Sequence, residues 1–165
     1  MKVTSNKDGW NRLKRSLLTQ QQYHTKVGWF GEQRYGPEND NLPFAQIAAW
    51  NEFGGVNGED AAIPGAITPP RPFMRVYYVE ELKDKNVQTV LSMVGKILFA
   101  QGSVTTAMNT AGPIFTKALQ ETMMRLDSPP NSQTTIDMKG FDDPLYNTGQ
   151  LIMNVEYKVS KKGSD

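Results

Sequence analysis

The apolar positions of the first thirty residues change their period once, from a helical spacing to an alternation. Between residues 5 and 22 the apolar side chains recur every three or four positions and predict an amphipathic helix, the positions being Trp10, Leu13, Leu17 and Leu18. From residue 23 to residue 30 the pattern alternates and predicts a half-buried strand that ends at Gly31, with one face formed by Tyr23, Thr25, Val27 and Trp29.

Turn-forming residues at 36–41 separate this strand from a short predicted helix. Pro43 can open the helix, and Gly54 with Gly55 closes it. Its apolar residues are Phe44, Ile47, Ala48 and Trp50. Residues 54–72 then contain both of these glycines and four prolines, Pro64, Pro69, Pro70 and Pro72. Because proline lacks an N–H donor and keeps its predecessor extended, this segment predicts a long loop or arm.

Two helices are predicted in the middle of the chain. Apolar residues recur at helical spacing over residues 80–101 and again over residues 103–126, and Gly102 separates the two patterns. The two segments therefore predict either a helical hairpin or a single bent helix, and Pro113 is a candidate kink.

A closing strand is predicted where Met153, Val155, Tyr157 and Val159 alternate with polar residues, before a flexible polar tail at residues 160–165. Strands at both ends with helices between them predict one α+β domain over residues 1–165. We expect a small antiparallel or mixed sheet, packed with a long helix or helical hairpin, and an extended proline-rich arm at residues 54–72.

Composition narrows the classes of function. Eighteen basic and seventeen acidic residues do not form a strongly cationic chain, so affinity for nucleic acid is not predicted. No apolar run approaches the roughly 18 residues of a membrane helix, and no apolar signal core follows Met1. We expect a soluble protein that is made in a cytoplasm.

Few residues are candidates for catalysis. The chain has no cysteine, and its one histidine, His24, lies on the polar face of a predicted strand. Asp142 and Asp143 are adjacent in a turn and should point apart. The sequence therefore predicts a protein that is not an enzyme and has no cofactor or metal.

Three segments, taken in order, resemble a known family. They are residues 47–54 (IAAWNEFG), residues 63–64 with 69–75 (IP and PPRPFMR), and residues 143–151 (DPLYNTGQL), which lead into the closing strand. Together they resemble the tail-completion, neck and minor tail proteins of tailed bacteriophages, over roughly residues 47–159. This chain has a longer insertion at 56–68, and Val76, Tyr77, Tyr78 and Val79 are more strand-like than the family's continuation.

The resemblance implies an α+β structural subunit of the virion neck or tail that forms a ring between the head and the tail. Its expected partners are other copies of itself in a hexamer or dodecamer, and the adjacent connector, tail-tube or sheath proteins. Genome DNA would be cargo through the channel, and no membrane is involved. The open alternatives are a tail terminator or minor tail protein at another position, and a soluble phage-encoded binding protein of the host cytoplasm.

The proline-braced segment is the first candidate interface. Prolines beside Arg71 hold the backbone extended and would let Arg71 and Phe73 project as anchors. The alternative is that Phe73 fills its own core and Arg71 pairs locally. The predicted contact residues are Arg71, Pro72, Phe73, Met74 and Arg75, with Trp50 and Phe53 as the second choice.

Thr148 and Gly149 are assigned a structural turn, in which Thr148 caps a helical turn and Gly149 adopts positive φ.

Overall fold

The computed structural model describes residues 7–20, 22–59, 64–80, 85–100 and 102–163. The helices are α1 (Lys7–Gln20), α2 (Phe44–Phe53), α3 (Phe73–Glu80), α4 (Lys85–Phe99), α5 (Val104–Arg125), α6 (Gln133–Lys139) and α7 (Gln150–Met153), with a 3₁₀ turn at Pro37–Asn39. The strands are β1 (Tyr23–Gly28), β2 (Gly55–Val56), β3 (Ile67–Thr68) and β4 (Glu156–Lys161). The fold is α+β, as the sequence predicts. None of the described helices combines the length and apolar content needed to cross a membrane.

The chain divides into two compact units. Unit 1 contains Met1–Val27, Lys83–Phe115 and Tyr157–Asp165, and unit 2 contains Gly28–Leu82 and Thr116–Glu156. Each unit is made of segments that are far apart in sequence. The division into two units therefore does not correspond to any single boundary along the sequence.

Unit 1 is a helical hairpin with a two-stranded sheet. On α4, Val90, Val94 and Leu98 lie four residues apart and are buried against the small face of α5, which is formed by Val104, Ala107 and Ala111. Strand β1 pairs with β4, and the N–H of Lys162 donates to the carbonyl of Gln22 at 2.6 Å to extend the ladder. The predicted small sheet is therefore confirmed, and of the two arrangements left open for the long helices the structure has the helical hairpin.

Unit 2 has its own apolar core around Phe73 and the second half of α5. Phe73, Leu119 and Met123 are fully buried, and the ring of Trp29 meets the ring of Phe73 edge-on, with 5.8 Å between centroids. The indole N–H of Trp29 donates to the carbonyl of Leu151 at 2.8 Å. These contacts join the start of unit 2 to the α7 turn, where Leu151 and Ile152 are buried.

Several predicted boundaries were wrong. Residues Val76 to Val79, which are more strand-like in sequence than the family's continuation, form part of helix α3. The last strand begins at Glu156 rather than Met153, which belongs to α7. Helix α6 was missed, although Ser132 caps it by accepting from the N–H of Thr135, and Gly140 ends it with a φ of 81°. The start of the long helix predicted at residue 80 falls partly on residues 81–84, which lie outside the described residues.

The proline-rich segment folds back on itself. Gly55 pairs with Thr68 and Val56 pairs with Ile67, so β2 and β3 form a short antiparallel hairpin. The N–H of Asn57 donates to the carbonyl of Ala66 at 2.9 Å beyond the strands. The middle of this segment, residues 60–63, lies outside the described residues.

Gly112 tests the packing inside unit 1. A Cβ at Gly112 would meet the ring of Tyr157, whereas a Cβ at Gly95 in α4 would meet nothing within 4 Å. We expect Gly112→Ala to destabilise the protein by about 2 kcal/mol through overpacking. The matched control, Gly95→Ala, should stabilise it by about 1 kcal/mol through helix propensity. Urea unfolding followed by circular dichroism measures both, and a Gly112→Ala variant as stable as the parent would contradict this packing.

Candidate functional site

The three segments that carry the family resemblance lie in unit 2 and contact one another. Helix α2 ends with the first segment, α3 begins within the second, and α7 follows the turn of the third. The carbonyl of Asn51 accepts a hydrogen bond from the N–H of Arg71 at 2.7 Å. Helix α2 also packs against α7. Segments that are separate in sequence therefore form one substructure.

Glu52 joins the first segment to the second. Its buried carboxylate accepts from the backbone N–H of Met74 at 2.8 Å and of Arg75 at 3.4 Å. The first turn of a helix has N–H groups without helical partners, and a negative charge there is also favoured by the helix dipole. A side chain of α2 thus supplies the cap that α3 lacks locally.

Arg75 completes this contact from the other side. Its Nε donates to the Glu52 carboxylate at 2.9 Å, and its Nη2 donates to the Glu52 carbonyl at 3.1 Å. The Arg75 side chain is 62% exposed, so the ion pair is open to solvent on the arginine side. Its guanidinium also lies 5.8 Å from the centre of the Phe53 ring.

Arg71 does not project outward as predicted. It is only 6% exposed, and it donates to the carbonyls of Pro129 and Pro130 and to the side-chain oxygen of Asn131, at 3.1 to 3.2 Å. Burial lowers the pKa of Arg71, and the Asp142 carboxylate opposes this lowering. Asp142 itself accepts from the N–H of Asn131 at 2.9 Å. The proposed charged anchor is therefore an internal clamp on the loop between α5 and α6.

Phe73 does not project outward either. It is 0% exposed and packs in the core of unit 2. The prediction of Arg71 and Phe73 as exposed anchors was wrong, because both side chains find their partners inside unit 2, Arg71 on the loop after α5 and Phe73 in the apolar core. Pro72 and Met74 are half-buried and Arg75 is exposed. The contacts predicted for these three with a partner stay predictions.

Trp50 and Phe53, the second choice, are exposed. Helix α2 has apolar residues on every side, and Phe44, Ala48 and Glu52 already form its buried face. Its outer side nevertheless consists largely of Ala45, Ala49, Trp50 and Phe53. Helix α2 therefore presents a surface of the kind that binds another protein.

The β2–β3 hairpin extends this surface. Its cross-strand pair, Val56 and Ile67, is 70% and 80% exposed, and Phe53 beside it is 70% exposed. Gly54 makes the close turn between helix and hairpin, with a φ of 70° and a site where a Cβ would lie 2.6 Å from the carbonyl oxygen of Thr68. We call Trp50, Phe53, Val56 and Ile67 the apolar patch.

The third segment forms one wall of a cleft of about 220 Å³, which Tyr35, Ile47 and Lys139 also line. The ammonium of Lys139 donates to the carbonyl of Asp143 at 2.6 Å. Burial lowers the pKa of Lys139, and the charge of Asp143 opposes this. Burial raises the pKa of the Tyr35 phenol. In the part of the chain that the structure describes, no three His, Asp or Glu side chains group as metal ligands.

The backbone conformation of Gly149 agrees with the structural role predicted for this turn. It has a φ of 77° and forms the N-cap of α7. The hydroxyl of Thr148 lies 3.5 Å from the N–H of Gln150, at the limit of a hydrogen bond, so its capping contribution is small.

The sequence contained signals for the residues that were missed. Glu52 continues the four-residue spacing of Phe44 and Ala48, so the same period that predicts the helix also places this carboxylate on the buried face. Val56 and Ile67 lie just inside the two ends of the proline-rich segment, where apolar side chains are compatible with a hairpin. The residues between them do not indicate that Val56 pairs with Ile67 rather than with a neighbouring residue.

No known family model, curated protein or solved structure matches this chain.

Removing the Glu52 carboxylate tests the cap. We expect Glu52→Ala to lower the free energy of unfolding by about 3 kcal/mol, since it leaves N–H groups of Met74 and Arg75 without an acceptor and unpairs Arg75. Urea denaturation gives the value. The matched control is Glu121→Ala, which removes an exposed carboxylate 3.6 Å from Lys117 and should change stability by less than about 0.5 kcal/mol. Equal losses in the two variants would rule out the capping role.

Proposed function

We propose that this chain is a structural subunit of the neck or head-proximal tail of a tailed bacteriophage, where copies of it form a ring that DNA passes through. The apolar patch carries the proposal. Exposed apolar surfaces of this kind mark interaction sites, and this one lies where two of the three family-like segments meet.

The residue types of the apolar patch support a protein partner. Trp50 and Phe53 are aromatic, and Arg75 lies beside Phe53. Aromatic residues and arginine are enriched in protein interfaces and in the few positions that dominate binding energy. The hairpin has strands of only two residues, and an isolated two-stranded hairpin is marginally stable. Packing against a partner would stabilise it.

The proposed activity is geometric rather than chemical. Subunits in cyclic symmetry bury one surface of each copy on a different surface of the next, and the closed ring leaves a central channel. A hexamer or dodecamer next to the connector, tail tube or sheath corresponds to the family that the three segments resemble. The internal clamp at Arg71 and the cap at Glu52 would keep unit 2 rigid while the apolar patch is covered.

Residence in the particle is the direct test. Mass spectrometry of extensively washed virions should detect the chain in a fixed copy number, and electron microscopy should place that density between head and tail. Absence from the particles, with the chain remaining in the host lysate, would overturn the proposal and favour a cytoplasmic binding protein.

Loss of the apolar patch should prevent assembly. We expect Phe53→Glu to leave the circular dichroism spectrum unchanged, because the side chain is already exposed. The dissociation constant of the oligomer should be about 100-fold higher than that of the parent. Analytical ultracentrifugation measures this. Met138→Glu is the control, since Met138 is an exposed apolar residue of α6 outside the apolar patch. Rings that survive Phe53→Glu would exclude the patch as the interface.

A further inference from the structure

The two units of the chain have opposite net charges, which cancel in the chain as a whole. Unit 1 contains twelve basic and three acidic residues, and unit 2 contains six basic and fourteen acidic residues. The formal net charge is therefore +9 for unit 1 and −8 for unit 2, against +1 for the whole chain. Composition alone predicted no affinity for nucleic acid, because the segments of the two units alternate along the sequence and their charges are averaged.

The basic side chains of unit 1 are on its surface. In the described part of unit 1, nine basic side chains are exposed, four on α1, one on β1, one on α4 and three in β4 and the turn after it. The same described residues include a single acidic side chain, Asp8. With so few acidic groups, the described surface of unit 1 has a positive potential on each of its sides.

The sheet of unit 1 turns one face toward α5. The hydroxyl of Thr25 donates to the sulfur of Met108 at 3.3 Å, and Tyr23 packs against the core between α4 and α5. A Cβ at Gly112 of α5 would meet the ring of Tyr157. Side chains alternate between the two faces of a strand, so the residues that come between these ones lie on the outer face of the sheet.

Two lysines lie side by side on this outer face. His24 and Ser160 contact each other there, with 2.9 Å between Nε2 and Oγ. The backbone bond that extends the ladder fits the same antiparallel register, in which Lys26 lies opposite Lys158. Residues directly opposite each other have Cβ atoms roughly 5 Å apart. Glu156, at the first position of β4, is on this face as well. We call Lys26 and Lys158 the lysine pair.

Helix α1 adds further positive charge next to the sheet. Lys7, Lys14 and Arg15 are exposed, and their spacing of seven and eight residues places them on one side of the helix. The helix ends at Gln20, three residues before β1 begins at Tyr23, and it packs against α4. These basic residues therefore belong to the same compact unit as the lysine pair.

We propose that unit 1 binds double-stranded DNA through its phosphate groups, without regard to base sequence, and that the lysine pair is part of the contact. Lysine and arginine neutralise phosphates and release the counterions that DNA condenses, which supplies most of non-specific affinity. The inference goes beyond the proposed function, in which DNA only passes through the ring, and it does not depend on ring formation.

The residue types favour nucleic acid over an acidic protein. Seven of the nine exposed basic side chains are lysines, and lysine is depleted in protein interfaces. The outer face of the sheet has only polar side chains in β1 and β4, and a serine hydroxyl lies beside the lysine pair. Lysine and serine both contact phosphates. Double-stranded DNA also carries about one negative charge per 1.7 Å of its axis, a density suited to a unit with this charge.

Fluorescence anisotropy of a labelled duplex measures the affinity of the full chain. Two duplexes of unrelated sequence, each of about 20 base pairs, should bind equally well, with a Kd of about 10 μM at physiological salt. The logarithm of the association constant should fall with the logarithm of the salt concentration with a slope of about −4. An absence of binding at low salt, or a strong preference for one of the two sequences, would overturn the inference.

Neutral variants separate unit 1 from the charge of the whole chain. The double variant Lys26→Gln, Lys158→Gln removes two charges from the outer face, so affinity should fall about 10-fold and the salt slope should be smaller by about 2. The matched control, Arg34→Gln with Lys117→Gln, removes two exposed charges from unit 2 and should bind like the parent. Both should keep the parent's circular dichroism spectrum. Equal losses of affinity in the two variants would contradict binding by unit 1.

Lysine acetylation gives a second measurement that needs no substitution. Bound duplex should protect Lys26 and Lys158 from an acetylating reagent, because phosphates cover their ammonium groups. Lys117 of unit 2, whose side chain is 76% exposed, should stay reactive. Mass spectrometry of the digested chain reports each lysine. Protection of Lys117 with none at the lysine pair would show that DNA binds elsewhere.

Two other polyanions test the choice of partner. Trp10 and Leu18 of α1 are exposed apolar side chains, and an amphipathic basic helix can also bind an anionic membrane. Vesicles that contain phosphatidylserine stand for that surface, and polyglutamate stands for an acidic protein. The duplex should bind more tightly than either at equal charge concentration. Tighter binding of the vesicles or of polyglutamate would overturn the inference.

The outcomes also separate this inference from the proposed function. A chain that binds the duplex through the lysine pair but is missing from virions would overturn the proposed function and support the inference. A chain that resides in virions but does not bind the duplex would do the reverse.

Discussion

The contact between the Glu52 carboxylate and the first turn of α3 is the constraint on which unit 2 depends. It satisfies helix N–H groups that the proline-braced segment cannot satisfy locally, and it brings the end of α2 to the start of α3. Next to this contact, Arg71 lies against the loop after α5, and Phe73 is buried in the core of unit 2. Without the cap, the N–H groups of Met74 and Arg75 would lose their acceptor in the protein.

A stiff backbone does not by itself decide which way its side chains face. Pro70 and Pro72 restrict the conformation around Arg71, as expected, but the acceptors that Arg71 reaches are on a loop nearly sixty residues later. A buried guanidinium needs several hydrogen-bond acceptors. The carbonyls of Pro129 and Pro130 can act as acceptors because these residues belong to neither a helix nor a strand. The clamp is therefore a property of the folded unit and not of the segment alone.

Because the proline-braced segment is buried, the proposed interaction surface is formed by the residues next to it. Phe73 is buried, whereas Trp50 and Phe53 at the end of α2 and the paired Val56 and Ile67 of the following hairpin are exposed. The same contacts that make unit 2 rigid thus present an apolar surface at one of its edges. A preorganised surface loses less conformational entropy when it binds, which would favour the proposed assembly into a ring.

The sequence by itself determined the local elements. Helical and alternating periods specified most helices, the two terminal strands and the α+β class, and the turn at Gly149 followed from its residue type alone, because these features depend on neighbours within a few positions. Only the tertiary structure decided that Val76 to Val79 are helical, that Arg71 and Phe73 face inward, and that Val56 pairs with Ile67. In the first two cases the deciding partner is a residue that is remote in sequence, Glu52 for the helix and the 129–131 loop for the arginine. Spacing along the chain contains no information about such contacts.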